Sequence, residues 1–324
     1  MTITLSIALA LTAAAFLTTY FVTPWFIKKL GQSGHTVRDQ NKEDKPKIPE
    51  MGGLAIVTGF VVAVIFAVAL ETGGILEYDL ELVLAGLSTI LVVALIGVID
   101  DLLLVEQSHK ALLPAFASLP LIAVNAGQTQ MWLPLVGSID FGILYLIVII
   151  PAAITGAANA CNMLAGFNGL EAGLGLVMSS TLMLVSALTG SVEAFIISTA
   201  MAGSLLAFLK YNWSPAKILV GDVGTLSIGA VVASTVIIGN LERAGVILIL
   251  PFFLELFLKA RGRFRKPSFC NVMGDKLVCP KKSEVYGLGR LVMHYSGGIR
   301  EPRLVLSLIL FEVLFAFFAV WSVI

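Results

Sequence analysis

Two adjacent carboxylates, Asp100 and Asp101, close the apolar run Ile96-Gly97-Val98-Ile99, and Lys110 follows nine residues after Asp101. Carboxylates so close repel one another unless a cation or a proton stabilises them; a solvated helix end is the ordinary alternative. Asn159 and Asn162 are three apart, on one helix face, and are followed by Gly166, Asn168 and Glu171. Buried amides can be glue between membrane helices, but three amides and a carboxylate within thirteen residues suit the lining of a polar cavity. Gly221-Asp222-Val223-Gly224 opens another apolar run, a turn whose backbone N–H groups can face an anion while the carboxylate meets a cation. Arg261-Gly262-Arg263-Phe264-Arg265 offers guanidinium groups that clamp phosphates in pairs or else mark the inner side of a membrane. Carboxylates, amide oxygens and a basic clamp are the parts of a Mg²⁺-pyrophosphate site, provided that the chain brings them together.

The elements that must do so are membrane helices. Of 324 residues, 58% are hydrophobic and 13% charged, with a mean hydropathy of +0.95. Soluble domains average about 25% charged residues, so a soluble enzyme, a disordered chain and a nucleic-acid binder are all excluded. Apolar runs at 3–27, 53–70, 82–99, 111–124, 141–158, 169–188, 192–209, 225–239, 244–258 and 303–323 predict an all-α polytopic protein of ten transmembrane helices. Lys28 and Lys29 follow the first run and no basic residue precedes it, which puts the N-terminus outside. Alternating from there, twenty of the twenty-one Lys and Arg residues fall in inner loops, all but Arg243, and both termini lie outside. Residues 259–302 then form a small cytoplasmic module within a single ten-span domain covering 1–324. In this topology the acidic pair, the amides, Asp222 and the arginines all sit at cytoplasmic ends of spans. The expectation is a metal-dependent phosphoryl-transfer site facing the cytoplasm.

The stretches KIPEMGG (47–53), DDLLLVEQSHKALLPAFASLPL (100–121), NACNMLAGFNGLEAG (159–173) and YNWSPAKILVGDVGT (211–225) add a resemblance. From about residue 26 to 267 the chain resembles the polyprenyl-phosphate N-acetylhexosamine-1-phosphate transferases. Within them it is most similar to the dolichyl-phosphate GlcNAc-1-phosphate transferases of archaea and eukaryotes. The resemblance implies ten spans, a homodimer, and transfer of GlcNAc-1-phosphate from UDP-GlcNAc to a polyprenyl or dolichyl phosphate with release of UMP. It implies Mg²⁺, with Mn²⁺ as the alternative ion, on Asn162 and Asp222. It also implies Asn168 on the uracil, with Gly166 against the ring, Glu50 by the nucleoside and Asn159 among the substrate-binding residues. Arg263 would meet the pyrophosphate, Arg265 the sugar end and Lys110 a phosphate, with Asp100 or Asp101 near the acceptor phosphate. Leu104 stands where many relatives have a third polar residue after the acidic pair, and Phe264 where the eukaryotic pattern has a histidine.

Direct in-line attack by the acceptor phosphate is the expected mechanism, with a phospho-aspartate on Asp100 or Asp101 as its rival. Undecaprenyl phosphate or another UDP-sugar is the nearest alternative substrate; an inactive scaffold or an ion-coupled transporter is the alternative of another class. Short loops lean toward an archaeal plasma membrane over the endoplasmic reticulum. Cys270 and Cys279, two cysteines without partner ligands, read as a poor zinc site. Glu255 is expected to face the site or pair with a cation, and Glu312, midway along the last run, has no assigned role.

Overall fold

A computed structural model describes residues 5–103, 106–133, 137–264 and 268–324. Each apolar run falls mainly on helix among the described residues. The helices are α1 (Leu5–Ser33), α2 (Gly53–Thr72), α3 (Leu80–Leu103), α4 (Gln107–Ala117), α5 (Leu119–Ala123) and α6 (Ile150–Met163), the last continuing the π-helical turn Tyr145–Ile149. They continue with α7 (Leu170–Thr189), α8 (Val192–Asn212), α9 (Gly221–Gly239), α10 (Glu242–Arg261), α11 (Leu288–Tyr295) and α12 (Glu301–Trp321). Among the described residues eight helices are long and apolar enough to cross a membrane: α1, α2, α3, α6 with its π turn, α7, α8, α9 and α12. The other two expected spans differ for physical reasons. The fourth run is split into α4 and α5 near Ser118 and Pro120, and α10 has the length but carries Glu242, Arg243, Glu255, Lys259 and Arg261.

α8 and α9 form the centre, each with 83% of its most apolar stretch buried, against 17% for α1 and 33% for α12. A helix apolar on every side is stable only when surrounded, by protein or by lipid. α9 is surrounded closely because its neighbours are small at the contacts. A Cβ added to Gly53 of α2 would lie 2.1 Å from the Gly224 nitrogen, one on Gly97 of α3 would lie 2.4 Å from Val223 Cα, and one on Gly229 would lie 2.2 Å from the Ala157 carbonyl oxygen on α6. The first two contacts fix the start of α2 and the end of α3 around the start of α9, and the third packs the middle of α6 on the middle of α9.

Among the described residues three short hairpins depart from the all-α expectation: β1 (Thr36–Arg38) with β2 (Lys47–Pro49), β3 (Gln130–Leu133) with β4 (Gly137–Asp140), and β5 (Asn271–Met273) with β6 (Lys276–Val278). The first holds the 39–46 loop against the helix ends. Beyond it the chain pairs with the segment entering α9: Leu219 N–H donates to the Pro49 carbonyl at 2.9 Å, Gly52 N–H to that of Leu219 at 2.8 Å, and Gly53 N–H to that of Val220 at 2.8 Å. The third hairpin, a 3₁₀ turn (Lys282–Glu284) and α11 lie between α10 and α12. Glu255 pairs with Lys259 at 3.6 Å and accepts the Leu288 N–H at 2.6 Å, so it caps α11. Glu312 is fully buried on α12, and neither of its carboxyl oxygens has a hydrogen-bond partner among the described residues.

Candidate active site

Asp100 and Asp101 end α3 and do different things. Asp101 accepts two backbone N–H bonds from the first turn of α9, Asp222 N to Oδ1 at 2.9 Å and Val223 N to Oδ2 at 3.1 Å. Its negative charge thus meets the positive end of a helix. Close approach is needed there: Gly221 has φ +71°, and a Cβ on it would lie 2.8 Å from the Met51 nitrogen and 2.9 Å from Asp101 Oδ2. Asp100, only 5% exposed, is ion-paired with Lys110, and the same ammonium holds Asp222 Oδ2. Lys110 reaches them from the first turns of α4. Asn159 of α6 steadies that helix by donating to the Ala111 carbonyl at 3.1 Å, and it also donates to the Thr155 carbonyl of its own helix at 2.9 Å. Asn162 lies one turn further along α6, half-buried.

Glu50 joins the group at the end of β2. Burial, then the Asp101 charge, push its carboxyl up to about 7, with Lys110 opposing. Asp100 and Asp222 thus share one ammonium, whose charge Asp101 and Glu50 also feel, so carboxylates outnumber cations here. Such a set suits a divalent cation that prefers carboxylate oxygen, as Mg²⁺ does.

A second polar cluster brings in residues that the sequence pattern does not single out. Glu301, 4% exposed at the start of α12, accepts the Asn168 N–H at 2.9 Å, the Asn41 side-chain amide at 3.2 Å and the Ser214 hydroxyl at 3.4 Å, and it pairs with Lys42. Asn168, 2% exposed, donates its amide to Asp39 Oδ2 at 3.0 Å. Gly166, with φ +111°, is clasped on both sides: Asn41 donates to its carbonyl at 2.6 Å and its own N–H meets Glu171 Oε1 at 2.7 Å. A cleft of about 480 Å³ opens beside this cluster, lined among others by Asn41, Lys42, Ser214, Gly274, Asp275 and Arg300. Asp39 and Asn41 carried one signal, the Asp-x-Asn spacing of an Asx turn, realised as the Asn41 N–H on Asp39 Oδ1 at 3.0 Å. Glu301 carried none, since its partners lie 87 to 260 residues away.

The structure thus gathers Glu50, Asp100, Asp101, Lys110 and Asp222 in one place, Asn159 beside them, and Gly166 with Asn168 in the second cluster. Arg263 is exposed in the turn after α10, with φ +52°. Arg265 and Leu104 lie outside the described residues.

The glycosyl transferase family 4 model matches residues 83–240, from α3 to the end of α9. A chain of Sulfolobus acidocaldarius is 38% identical over 94% of this chain and 93% of its own length. The chain belongs to glycosyl transferase family 4. That relative is provisionally named a UDP-N-acetylglucosamine–dolichyl-phosphate N-acetylglucosaminephosphotransferase, and a Dictyostelium discoideum protein bearing the same name is 26% identical over 92% of this chain and 84% of its own. A phospho-N-acetylmuramoyl-pentapeptide-transferase of Shouchella clausii is 31% identical over 76% of this chain and 78% of its own. The family match takes in Asp100, Asp101, Lys110, Asn159, Asn162, Gly166, Asn168 and Asp222, and stops before α10 and the segment that follows it.

Proposed function

We propose that the chain transfers N-acetylglucosamine 1-phosphate from UDP-N-acetylglucosamine to a dolichyl or other polyprenyl phosphate, yielding the lipid diphosphate sugar and UMP. The observation that carries this reading is Lys110 held between Asp100 and Asp222 at the head of α9, within a chain 38% identical to a relative named for that reaction. An oxygen of the acceptor phosphate attacks the β-phosphorus of the donor. The bond from that phosphorus to the bridging oxygen breaks, and UMP leaves with the electron pair. The nucleophile is already anionic near neutral pH, so the main barrier is the approach of two polyanions. Lys110, with Arg263 and Arg265, offsets that repulsion. Asp100 orients the acceptor phosphate, and Asp101 keeps the head of α9 in place. Asp222 and Asn162 would hold Mg²⁺, or Mn²⁺ in its stead, which when bound would neutralise charge on the diphosphate. Glu50, Asn159, Gly166 and Asn168 belong to the donor's side of the site in this reading.

In the same reading the chain crosses the membrane ten times with both termini outside, the active site is cytoplasmic, and the membrane is an archaeal plasma membrane. The one-sided distribution of Lys and Arg supports the topology, and the Sulfolobus relative supports the source membrane. A homodimer is the expected assembly. The similarity to a phospho-N-acetylmuramoyl-pentapeptide-transferase favours one second reading, the same chemistry on another UDP-sugar. The test is purified protein with UDP-N-acetylglucosamine, a polyprenyl phosphate and Mg²⁺, following UMP and lipid product, with competing UDP-sugars present. Metal-dependent appearance of both products is expected. Folded protein that yields neither with several donors and acceptors would overturn the reading in favour of a scaffold.

A further inference from the structure

The segment between α10 and α12 contains a second set of metal-ligating side chains, built from other donors than the first. Pairing of Asn271 with Val278 in the β5–β6 hairpin sets Cys270 and Cys279 opposite one another at its open end. The 3₁₀ turn Lys282–Glu284 then returns Glu284 to the pair. The ligand atoms of Cys270, Cys279 and Glu284 all lie within 4.8 Å of one another, and both thiols are free. Cys279 is buried, and the other two are half-buried.

Arg290 of α11 braces this arrangement. It is 7% exposed and donates to the Phe269 carbonyl at 2.7 Å and to the Glu284 carbonyl at 2.9 Å, one adjoining Cys270 and one within the ligand set. The His294 ring is 2.9 Å from the Cys279 carbonyl oxygen. We infer that Cys270, Cys279 and Glu284 bind one zinc-type divalent cation, which ties the hairpin to the turn that leads into α11. Two sulfur donors favour such an ion over Mg²⁺, whereas the all-oxygen set at Asp222 favours the reverse. Binding sends two thiol protons to solvent and changes no oxidation state. The resulting centre, two thiolates and a carboxylate around a divalent cation, carries one net negative charge, and the guanidinium of Arg290 offsets it. Three protein ligands leave the fourth tetrahedral position to water. The competing partner of Glu284 is Lys281, 3.9 Å away on the surface, and an exposed ion pair of that kind is readily given up. A segment this small also has little apolar core of its own, and small scaffolds commonly rely on a metal or a disulfide.

The test uses the full chain in detergent, purified with its thiols reduced and exposed to Zn²⁺, then to Co²⁺. The inference expects one zinc per chain by elemental analysis, retained in Asp222→Ala and lost in Cys270→Ser and Cys279→Ser. It expects the thiolate-to-cobalt charge-transfer band in the wild-type chain, a readout that needs no variant to fold. Glu284→Gln should weaken Co²⁺ binding by at least about tenfold. Folded, reduced wild-type protein without zinc or cobalt would overturn the inference. So would zinc that disappears with Asp222→Ala but survives Cys279→Ser, or a Cys270–Cys279 disulfide in protein isolated without reductant from zinc-replete cells.

Discussion

Lys110 holds two carboxylates that would otherwise repel, and it belongs to a helix, α4, that Asn159 of α6 helps to hold through the Ala111 carbonyl. Lys110→Met should lower kcat by at least about a hundredfold, the usual scale for losing one charge-stabilising group. Asp222→Ala should abolish Mg²⁺-dependent turnover. Both chains should stay folded in detergent, and either one retaining near wild-type turnover would remove its residue from the mechanism. Glu50 makes a prediction about stability. Its carboxyl titrates near 7 in the folded chain and near the ordinary 4.5 when unfolded, because burial and Asp101 disfavour the charge. Over that interval the folded chain holds the proton that the unfolded chain has released, so stability falls as pH rises from about 4.5 to about 7 and then levels off. Glu50→Gln should remove that portion of the slope. Parallel melting-temperature profiles for the two chains would refute the assignment.

At the scale of elements, the head of α9 is where α2 and α3 converge, and Asp101 is its cap. Asp101→Asn keeps one acceptor oxygen but turns an amide donor toward a backbone N–H, losing a hydrogen bond and the charge that faces the helix end. A loss of about 1–2 kcal/mol in unfolding free energy is expected. Asp100→Asn removes the buried carboxylate paired with Lys110 and should reduce turnover in protein shown to be folded. Equal melting temperatures for Asp101→Asn and wild type would show that the cap is not what holds α9. The helices were legible in the sequence because long apolar runs leave little alternative in a bilayer, and Asp100, Asp101 and Asp222 were legible because an adjacent acidic pair and a Gly-Asp-x-Gly turn fall on the same side of the charge-derived topology. Pairing of Asp101 with the α9 backbone was not, since it joins residues 121 and 122 positions apart. The Glu301 cluster was hidden for the same reason. Hairpins of three-residue strands were hidden because such runs carry no readable alternation, and with them went the approach of Glu284 to the two cysteines.

The whole molecule must bring a water-soluble nucleotide sugar and a lipid-borne phosphate to the same carboxylates, which requires a site at one membrane surface with lateral access from the bilayer. An interior crossed by ions from side to side would serve a transporter instead. The gathered charges lie at the ends of α3 and β2 and at the heads of α4 and α9, while the middles of α8 and α9 bury only apolar, Gly, Ser and Thr residues. The sidedness of that charged end is open to measurement, because α12 joins the segment after α10 to the C-terminus. If ten crossings are right, an epitope appended after Ile324 faces outward, and one inserted in the Gly274–Asp275 turn faces inward. In intact cells an antibody should reach the first and not the second, and permeabilisation should reveal both. Two epitopes on one side would mean that α12 does not cross the membrane. An inverted pair would put the acidic cluster outside, away from cytoplasmic UDP-sugars, and the proposed donor would then lose its access to the site.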